Sequence, residues 1–253
     1  MTEMGSAVAV VVTRAEAADG PLSTQLRSLG LNVLLWPAVR TAPAAGNALE
    51  RALARIQDFD WIVFTSRHAV TAVIRWLPRL PPGVRVAAIG RATAQVLRHR
   101  GFSVDLLPND ANAAALVDAF ATQGCAGAKI LYPASSRALP MISQGLTQLG
   151  AEVHQVEGYR TEAALLDADD CRAWIEREVI GAVTFASPSA VIELERALGL
   201  PHFTRLLAQA AVVAIGPTTA RALAERGRTA VLAETATLSG LANTTQRLLQ
   251  TRP

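Results

Sequence analysis

At 253 residues, the chain is long enough for one large α/β domain or two smaller ones, each with its own hydrophobic core. Hydrophobic residues make up 51% and charged residues 18%, a composition that excludes a disordered or fibrous protein. The formal net charge is +3, and the basic residues are arginines apart from Lys129. Planar guanidinium groups favour anion recognition, although this weak basicity identifies no partner.

Three classes of function find little support in the sequence. Aromatic residues make up only 5% and the arginines are scattered, so we expect no nucleic-acid partner. The first apolar run, AVAVVV, is too short to span a bilayer and follows no basic leader, so we expect no membrane association and a cytoplasmic location. Cys125 and Cys171 have neither a CxxC spacing nor a nearby histidine, so we expect reduced thiols and no metal site.

Short β-branched runs alternate with amphipathic helical patterns along the chain. This alternation predicts parallel sheets covered by helices on both faces. In chain order the predicted strands are AVAVVVT, LNVLLWP, WIVFTS, VRVAAIG, FSVDLLP, AKILYP, AEVHQVEGY, GAVTFAS, AVVAIG and TAVLAE. Four predicted helices end in glycine, at Gly30, Gly101, Gly150 and Gly227, where we expect a left-handed C-terminal cap.

The chain contains an internal duplication. FTSRHAV at 64–70 matches FASPSAV at 185–191, and AIGRATA at 88–94 matches AIGPTTA at 214–220, in the same order. A third pair joins LRSLGLNVLLWPAVRT, which begins at Leu26, to LTQLGAEVHQVEGYRT, which begins at Leu146. Repeated supersecondary units of this kind predict two similar domains.

The domain boundary has two solutions at this level. The domains are either contiguous halves of the chain, or the N-terminal β-α-β segment joins the C-terminal half and the chain crosses over twice. The extended, proline-flanked WPAVRTAP and the matching EGYRTE favour the second solution, with the two segments paired as a linker and hinge.

The repeated motifs lie where ligands bind in open parallel sheets, at the carboxyl ends of the strands. Gly90 and Gly216 end predicted strands, and Thr93 and Thr219 fall in the first turn of the following helices. Unpaired N–H groups and the helix dipole make such ends suitable for anions. The candidate hydroxyl side chains are Ser66, Thr93, Ser187, Thr218 and Thr219. The alternative for each is a simple N-cap that satisfies its own helix.

Two other side chains are candidates with open alternatives. Tyr159 lies in the proposed linker, where it would donate a proton into a cleft or act as a half-buried aromatic with a satisfied hydroxyl. Arg14 follows the first strand, where it would bind a substrate carboxylate or form a salt bridge. His68, His99, His154 and His202 are far apart in sequence, so we expect surface or packing roles for them.

Common catalytic motifs are missing from the sequence. It contains no GxGxxG, GxxxxGK[ST], GxSxG or HExxH pattern, so dinucleotide, P-loop, acyl-serine and zinc-protease functions lose support. The aspartate groups at 58–60 and 167–170 look like turn and cap residues. A carboxylate pair for acid–base work is not evident.

The ordered motifs resemble the uroporphyrinogen-III synthase family over nearly the whole chain. They are TR after the first strand, FTS..AV, AIG..TA, LGAEV..VEGYRT, F.SPSAV and AIGPTTARAL..RG. The most specific feature is SPS followed by IGPTTA after a GYRT linker. The resemblance implies an α/β fold of two similar domains, each a parallel sheet flanked by helices, joined by a two-stranded linker with a cleft between them. The implied domains are 1–37 with 163–253, and 43–157, with linker strands at 38–42 and 158–162.

The resemblance also implies a reaction and roles for residues. Hydroxymethylbilane would lose its terminal hydroxyl group and close to uroporphyrinogen III, with inversion of ring D through a spiro intermediate and without a cofactor or metal. Tyr159 would assist departure of the hydroxyl group. The implied substrate-binding residues are Arg14, Ser66, Gly90, Thr93, Ser187, Gly216, Thr218 and Thr219. We expect a monomer that makes transient contact with hydroxymethylbilane synthase.

Two positions depart from the family pattern, in which asparagine is common at His68 and arginine at Ala134; Arg137 would compensate for the second change. One alternative function is a two-domain protein that binds a tetrapyrrole or another polyanion without turning it over. Another is a ligand sensor of the periplasmic-binding type, which the lack of a signal peptide disfavours.

Overall fold

The computed structural model describes residues 8–251. Ala7 of the first predicted strand and the ends of the first predicted domain, 1–7 and 252–253, lie outside the described residues. Described residues up to Arg40, together with those from Glu162 onward, form one compact unit, called unit 1 below. Thr41–Thr161 form unit 2. Both division points fall inside the segments that the sequence proposes as linkers.

Unit 1 contains a five-stranded sheet within the described residues, in the order β10-β9-β8-β1-β2. The strands are β1 (Ala9–Val12), β2 (Asn32–Leu35), β8 (Ile180–Phe185), β9 (Ala211–Ala214) and β10 (Val231–Leu232), and their pairings are parallel. The helices are α1 (Pro21–Ser28), α7 (Ala168–Glu176), α8 (Pro188–Leu198), α9 (Leu200–Gln209), α10 (Pro217–Ala224) and α11 (Leu238–Gln250). Because β1 pairs with both β2 and β8, the N-terminal β-α-β segment belongs to the sheet of the C-terminal half.

Unit 2 also contains five strands within the described residues, in the order β3-β7-β6-β4-β5. The strands are β3 (Val39–Pro43), β4 (Trp61–Phe64), β5 (Arg85–Ala88), β6 (Lys129–Ser135) and β7 (Glu152–Ala163). The helices are α2 (Ala48–Leu53), α3 (Arg67–Ile74), α4 (Arg91–His99), α5 (Ala113–Gln123) and α6 (Met141–Gln148), with a 3-10 turn at Ile56–Asp58. The pairings of β4 with β5 and β6, and of β6 with β7, are parallel.

Each sheet is covered on both faces, as the continuous apolar strands predict. In β4, Trp61 and Val63 pack into one buried cluster, whereas Ile62 and Phe64 pack into another. The same alternation places Val10 and Val11 of β1 in separate clusters of unit 1. Helix packing on both faces leaves the carboxyl edge of each sheet as the place where strand ends and helix starts meet.

The duplicated motifs have the same backbone arrangement in both units. The amide of Ile89 donates to the carbonyl of Phe64 at 2.9 Å, and the amide of Ile215 donates to the carbonyl of Phe185 at the same distance. Each hydrogen bond ties the end of the Ile-Gly strand to the end of the Phe-x-Ser strand. The sequence duplication is therefore a structural repeat of the functional edge.

Two strand predictions need correction. FSVDLLP is not a strand, because only Leu106 forms a bridge to β5 and the Asp105 carboxylate accepts from the amide of Val86 at 2.8 Å. The predicted 158–162 linker strand is part of a longer strand, since β7 runs without interruption from Glu152 to Ala163. The four predicted helix-ending glycines all have positive φ values, between 73° and 85°, which confirms their role as left-handed caps.

Candidate active site

Ser66 connects the start of α3 to the linker tyrosine of unit 2. Its Oγ accepts from the amide of Ala69 at 3.1 Å, so the residue is the N-cap of α3, as the simpler alternative predicted. The same hydroxyl donates to the Tyr159 phenol oxygen at 3.0 Å. Because a hydroxyl carries one proton, the Ser66 proton is committed to Tyr159, and the proton of Tyr159 is left for another acceptor.

A bulge in β7 places Tyr159 on the face where Ser66 lies. Opposite β6, Ala134 pairs with Glu157 but Ser135 pairs with Tyr159, so Gly158 is the extra residue. Side chains alternate along a strand, so one inserted residue turns Tyr159 to the same face as Val156. A Cβ at Gly158 would lie 3.1 Å from the Cβ of Pro133, so the bulge also needs a small residue.

The sequence analysis missed several neighbours of Tyr159. The His68 ring lies 5.5 Å from the Tyr159 ring, centroid to centroid, although a surface or packing role was expected for this histidine. Tyr132 is 3% exposed, and burial raises the pKa of its phenol; a hydrogen bond with Thr65 lowers the pKa and the nearby Tyr159 raises it. A helical spacing from Ser66 and the position of Tyr132 at a strand end were the available signals.

The second junction of unit 2 is the turn from β5 to α4. Gly90 is the N-cap of α4 and supplies no side-chain cap, so the hydroxyl of Thr93 is not the cap that the alternative proposed. Thr93 is buried, with 6% of its surface exposed. A Cβ at Gly90 would lie 2.5 Å from the Cβ of Ala111, so here glycine is required by protein packing.

In unit 1, Ser187 repeats the role of Ser66 as a helix cap. Its Oγ accepts from the amide of Ala190 at 3.2 Å at the start of α8. Gly216 caps α10 without a side chain, and of the described residues none has an atom within 4 Å of a Cβ built there. Thr218 is exposed, whereas Thr219 is buried at 1% exposure. The amides of these two threonines therefore start α10 beside an open surface.

Arg14 is engaged in the way that its alternative predicted. Its guanidinium lies 2.9 Å from the carboxylate of Glu16, and the Arg14 side chain is 13% exposed. Glu16 in turn accepts from the amide and hydroxyl of Ser23 at the start of α1, both at 2.6 Å. A carboxylate already occupies this helix start, so Arg14 would have to exchange Glu16 for a substrate group.

The structure therefore arranges the predicted residues as two groups, each at the carboxyl edge of its own sheet. Ser66, Gly90, Thr93 and Tyr159 follow β4 and β5 or lie in β7 of unit 2. Arg14, Ser187, Gly216, Thr218 and Thr219 follow the adjacent strands β1, β8 and β9 of unit 1.

A groove with a volume of 520 Å³ opens beside Tyr159 within unit 2. One side is the face of α3 that carries His68, Thr71, Ala72, Arg75 and Trp76, and the other is the segment from Thr41 to Glu50. The sequence analysis did not assign these α3 residues to a site. Their recurrence at helical spacing was the signal that could have identified a common face.

Residues 8–251 contain no group of three or more histidine, cysteine or acidic side chains that could hold a metal ion. Burial raises the pKa of the Cys125 thiol, and burial together with Asp170 and Asp167 raises that of Cys171 to about 12. Both thiols are therefore protonated near neutral pH and poor nucleophiles. None of the helices in this part of the chain is long and apolar enough to cross a membrane.

Comparisons with known proteins agree in family and fold. The family model described as uroporphyrinogen-III synthase HemD matches residues 20–243. The uroporphyrinogen-III synthase of Synechococcus elongatus is 30% identical, over 92% of each chain. That of Escherichia coli is 30% identical over 68% of this chain and 73% of its own. The crystal structures of uroporphyrinogen III synthase from Thermus thermophilus, a mutant, and from Helicobacter pylori each have a TM-score of 0.65, at 19% and 16% identity. They cover 97% and 95% of this chain, and 100% and 99% of their own.

The family match spans most of the chain, and the duplicated strand-to-helix junctions lie inside it. The chain belongs to the uroporphyrinogen-III synthase family.

Proposed function

We propose that this chain cyclises hydroxymethylbilane to uroporphyrinogen III with Tyr159 as the proton donor. Family membership supports the reaction, which belongs to tetrapyrrole biosynthesis. The hydrogen bond from Ser66 to Tyr159 is the single observation that supports the residue assignment.

In the proposed reaction, the lone pair of the terminal pyrrole nitrogen expels the hydroxyl group. The C–O bond breaks as Tyr159 protonates the departing oxygen, which leaves as water. The exocyclic carbon then becomes an electrophile, and the substituted carbon of ring D attacks it to form the spiro intermediate. Rearrangement inverts ring D and closes the macrocycle, and the pyrrole proton lost on rearomatisation restores the phenol. Little acid–base chemistry is needed beyond this transfer, so holding the reactive conformation is the main task of the protein.

Hydrogen-bond direction supports Tyr159 in this role. The Ser66 hydroxyl occupies one lone pair of the phenol oxygen and points its own proton there. The Tyr159 proton can then be directed at a substrate oxygen, and Ser66 would stabilise negative charge that develops on the phenol during transfer.

The polyanionic substrate would use the open helix starts. At α10, the amides of Thr218 and Thr219 lie beside open space at Gly216, and the first turn contains no acidic side chain. At α4, Gly90 and Thr93 would supply a similar start. Each anionic contact of this type contributes about 0.3–1 kcal/mol when exposed to solvent. Ser187 and, after exchange of Glu16, Arg14 would add contacts.

Several further expectations remain proposals. We propose a cytoplasmic monomer that receives its labile substrate through transient contact with hydroxymethylbilane synthase and binds no nucleic acid. The substrate would contact the junctions of both units.

The test is a product analysis. Purified protein and the variant Tyr159→Phe would be incubated with freshly made hydroxymethylbilane, and the oxidised porphyrin isomers separated. We expect isomer III from the wild type and a rate about 100-fold lower in the variant, since a positioned general acid contributes at least that much. Isomer I alone from the folded wild type would refute the enzyme activity, whereas an unchanged rate in the variant would refute only the role of Tyr159.

A further inference from the structure

The groove on α3 is a separate surface of unit 2 that extends away from Tyr159. It runs along α3 from His68 beside Tyr159 to Arg75 and Trp76, about two helical turns further on. All its lining residues belong to Thr41–Thr161. The groove therefore begins at the candidate proton donor and leads to a charged, aromatic end.

The size of the groove suits part of a tetrapyrrole. A volume of 520 Å³ falls in the range of about 300–1,000 Å³ typical of small-molecule sites. It can hold a pyrrole ring with its two acidic side chains, whereas four linked rings with eight such chains need more room. A ring in this groove would leave the rest of the chain of pyrroles outside it.

The lining has the chemistry that a carboxylated pyrrole requires. Leu49, Ala72 and Pro43 provide apolar walls for the flat ring. Glu50 supplies a carboxylate, the acceptor that a pyrrole N–H group needs. A mostly apolar site with a few placed polar groups is the usual design of a ligand pocket.

Arg75 provides the complementary charge for an acidic side chain. Its guanidinium lies 5.5 Å from the centre of the Trp76 ring, which is 49% exposed. Among the described residues Arg75 forms no ion pair, so its donors face solvent and the groove. Arginine binds carboxylates in a bidentate manner, and the neighbouring indole restricts where the guanidinium can lie.

We propose that this groove binds the terminal pyrrole ring that carries the hydroxymethyl group. Arg75 pairs with a carboxylate of that ring, and Trp76 packs against it. The ring's hydroxyl group then lies at the end of the groove where Tyr159 is located. This inference rests on the proposed function, because it assigns a ring to the site in which Tyr159 acts. Arg75 and Trp76 are then substrate-positioning residues at a distance from the reacting bond.

The experiment measures binding of a probe that undergoes no reaction. A monopyrrole with one acetate and one propionate side chain would be titrated into the wild type while tryptophan fluorescence is recorded. Trp76→Phe would identify the part of the signal that comes from Trp76. Arg75→Gln removes the proposed charge, and Arg98→Gln removes an exposed arginine from the last turn of α4, outside the groove.

We expect saturable quenching in the wild type that is lost in Trp76→Phe. Arg75→Gln should weaken binding about tenfold or more, since hydrogen bonds to charged groups contribute at that level, and Arg98→Gln should bind as the wild type does. With hydroxymethylbilane, Arg75→Gln should raise KM with little change in kcat. Equal affinities of the two arginine variants, or no quenching at millimolar probe, would overturn the proposal. If the wild type still makes isomer III, the proposed function survives that result.

Discussion

The serine caps of the two units have the same local structure but different neighbours. Ser66 and Ser187 each accept from the amide three residues later, at 3.1 and 3.2 Å. Only the Ser66 hydroxyl also donates to a phenol, that of Tyr159. Duplication thus preserved the helix start in both copies, and the longer β7 strand provided the candidate proton donor in one of them.

The glycine caps differ in the opposite direction. Both Gly90 and Gly216 have extended backbone conformations, with φ near −170°, which any residue can adopt. At Gly90, the neighbouring Ala111 leaves no room for a side chain, whereas the surroundings of Gly216 are open among the described residues. The same Ile-Gly motif therefore meets a packing requirement in unit 2 and leaves space for a ligand in unit 1.

Exchanging each serine cap for alanine would test the first difference, and the largest effect is expected here. Both Ser66→Ala and Ser187→Ala should lose about 1 kcal/mol of unfolding free energy through the missing cap. Only Ser66→Ala should also lower kcat about tenfold, because Tyr159 loses the hydrogen bond that directs its proton. Chemical denaturation and initial rates of isomer III formation measure the two effects. Equal kcat values for the two variants would remove Ser66 from the mechanism.

A methyl group at each glycine cap would test the second difference. Gly90→Ala should cost about 1–3 kcal/mol of unfolding free energy, because its Cβ would lie 2.5 Å from that of Ala111. Gly216→Ala should leave stability within about 0.5 kcal/mol of the wild type and raise KM, since its methyl group would occupy space proposed for substrate. Thermal or denaturant unfolding, combined with KM measurements, would decide. A stable Gly90→Ala protein with unchanged KM in Gly216→Ala would contradict both assignments.

A smaller effect is expected from Glu157 in unit 2, for which unit 1 has no assigned counterpart. A hydrogen bond from Arg160 at 2.6 Å and one from the amide of Ala45 at 3.0 Å lower the pKa of this carboxyl group. A lowered folded-state pKa stabilises the protein above the unfolded value, near 4.5, and the contribution is lost as pH falls through the folded value.

The unfolding free energy of the wild type should therefore fall more steeply below pH 5 than that of Glu157→Gln. Urea unfolding at several values between about pH 3 and 6 would reveal the difference. Glu152→Gln, on the same strand and exposed, provides the control. Parallel curves for the wild type and Glu157→Gln would mean that Glu157 titrates alike in the folded and unfolded states.

Much of the architecture could be predicted because each strand and helix has a strong local signal. The apolar runs WIVF and AVVA are buried strands as predicted, and Gly30 and Gly227 end their helices with positive φ. FSVDLLP failed as a strand prediction because β-branched composition does not specify a pairing partner, and Asp105 instead binds the amide of Val86 through its side chain.

The sequence by itself determined the duplicated strand-to-helix junctions, since their residues are contiguous and repeat in order. It did not reveal which residues from distant segments share a face. Only the tertiary structure decided that the Gly158 bulge turns Tyr159 toward Ser66, that His68, Arg75 and Trp76 line one groove, and that Gly90 is packed while Gly216 is open. The physical reason is that side-chain direction in a sheet depends on register, and register depends on partners far away in sequence.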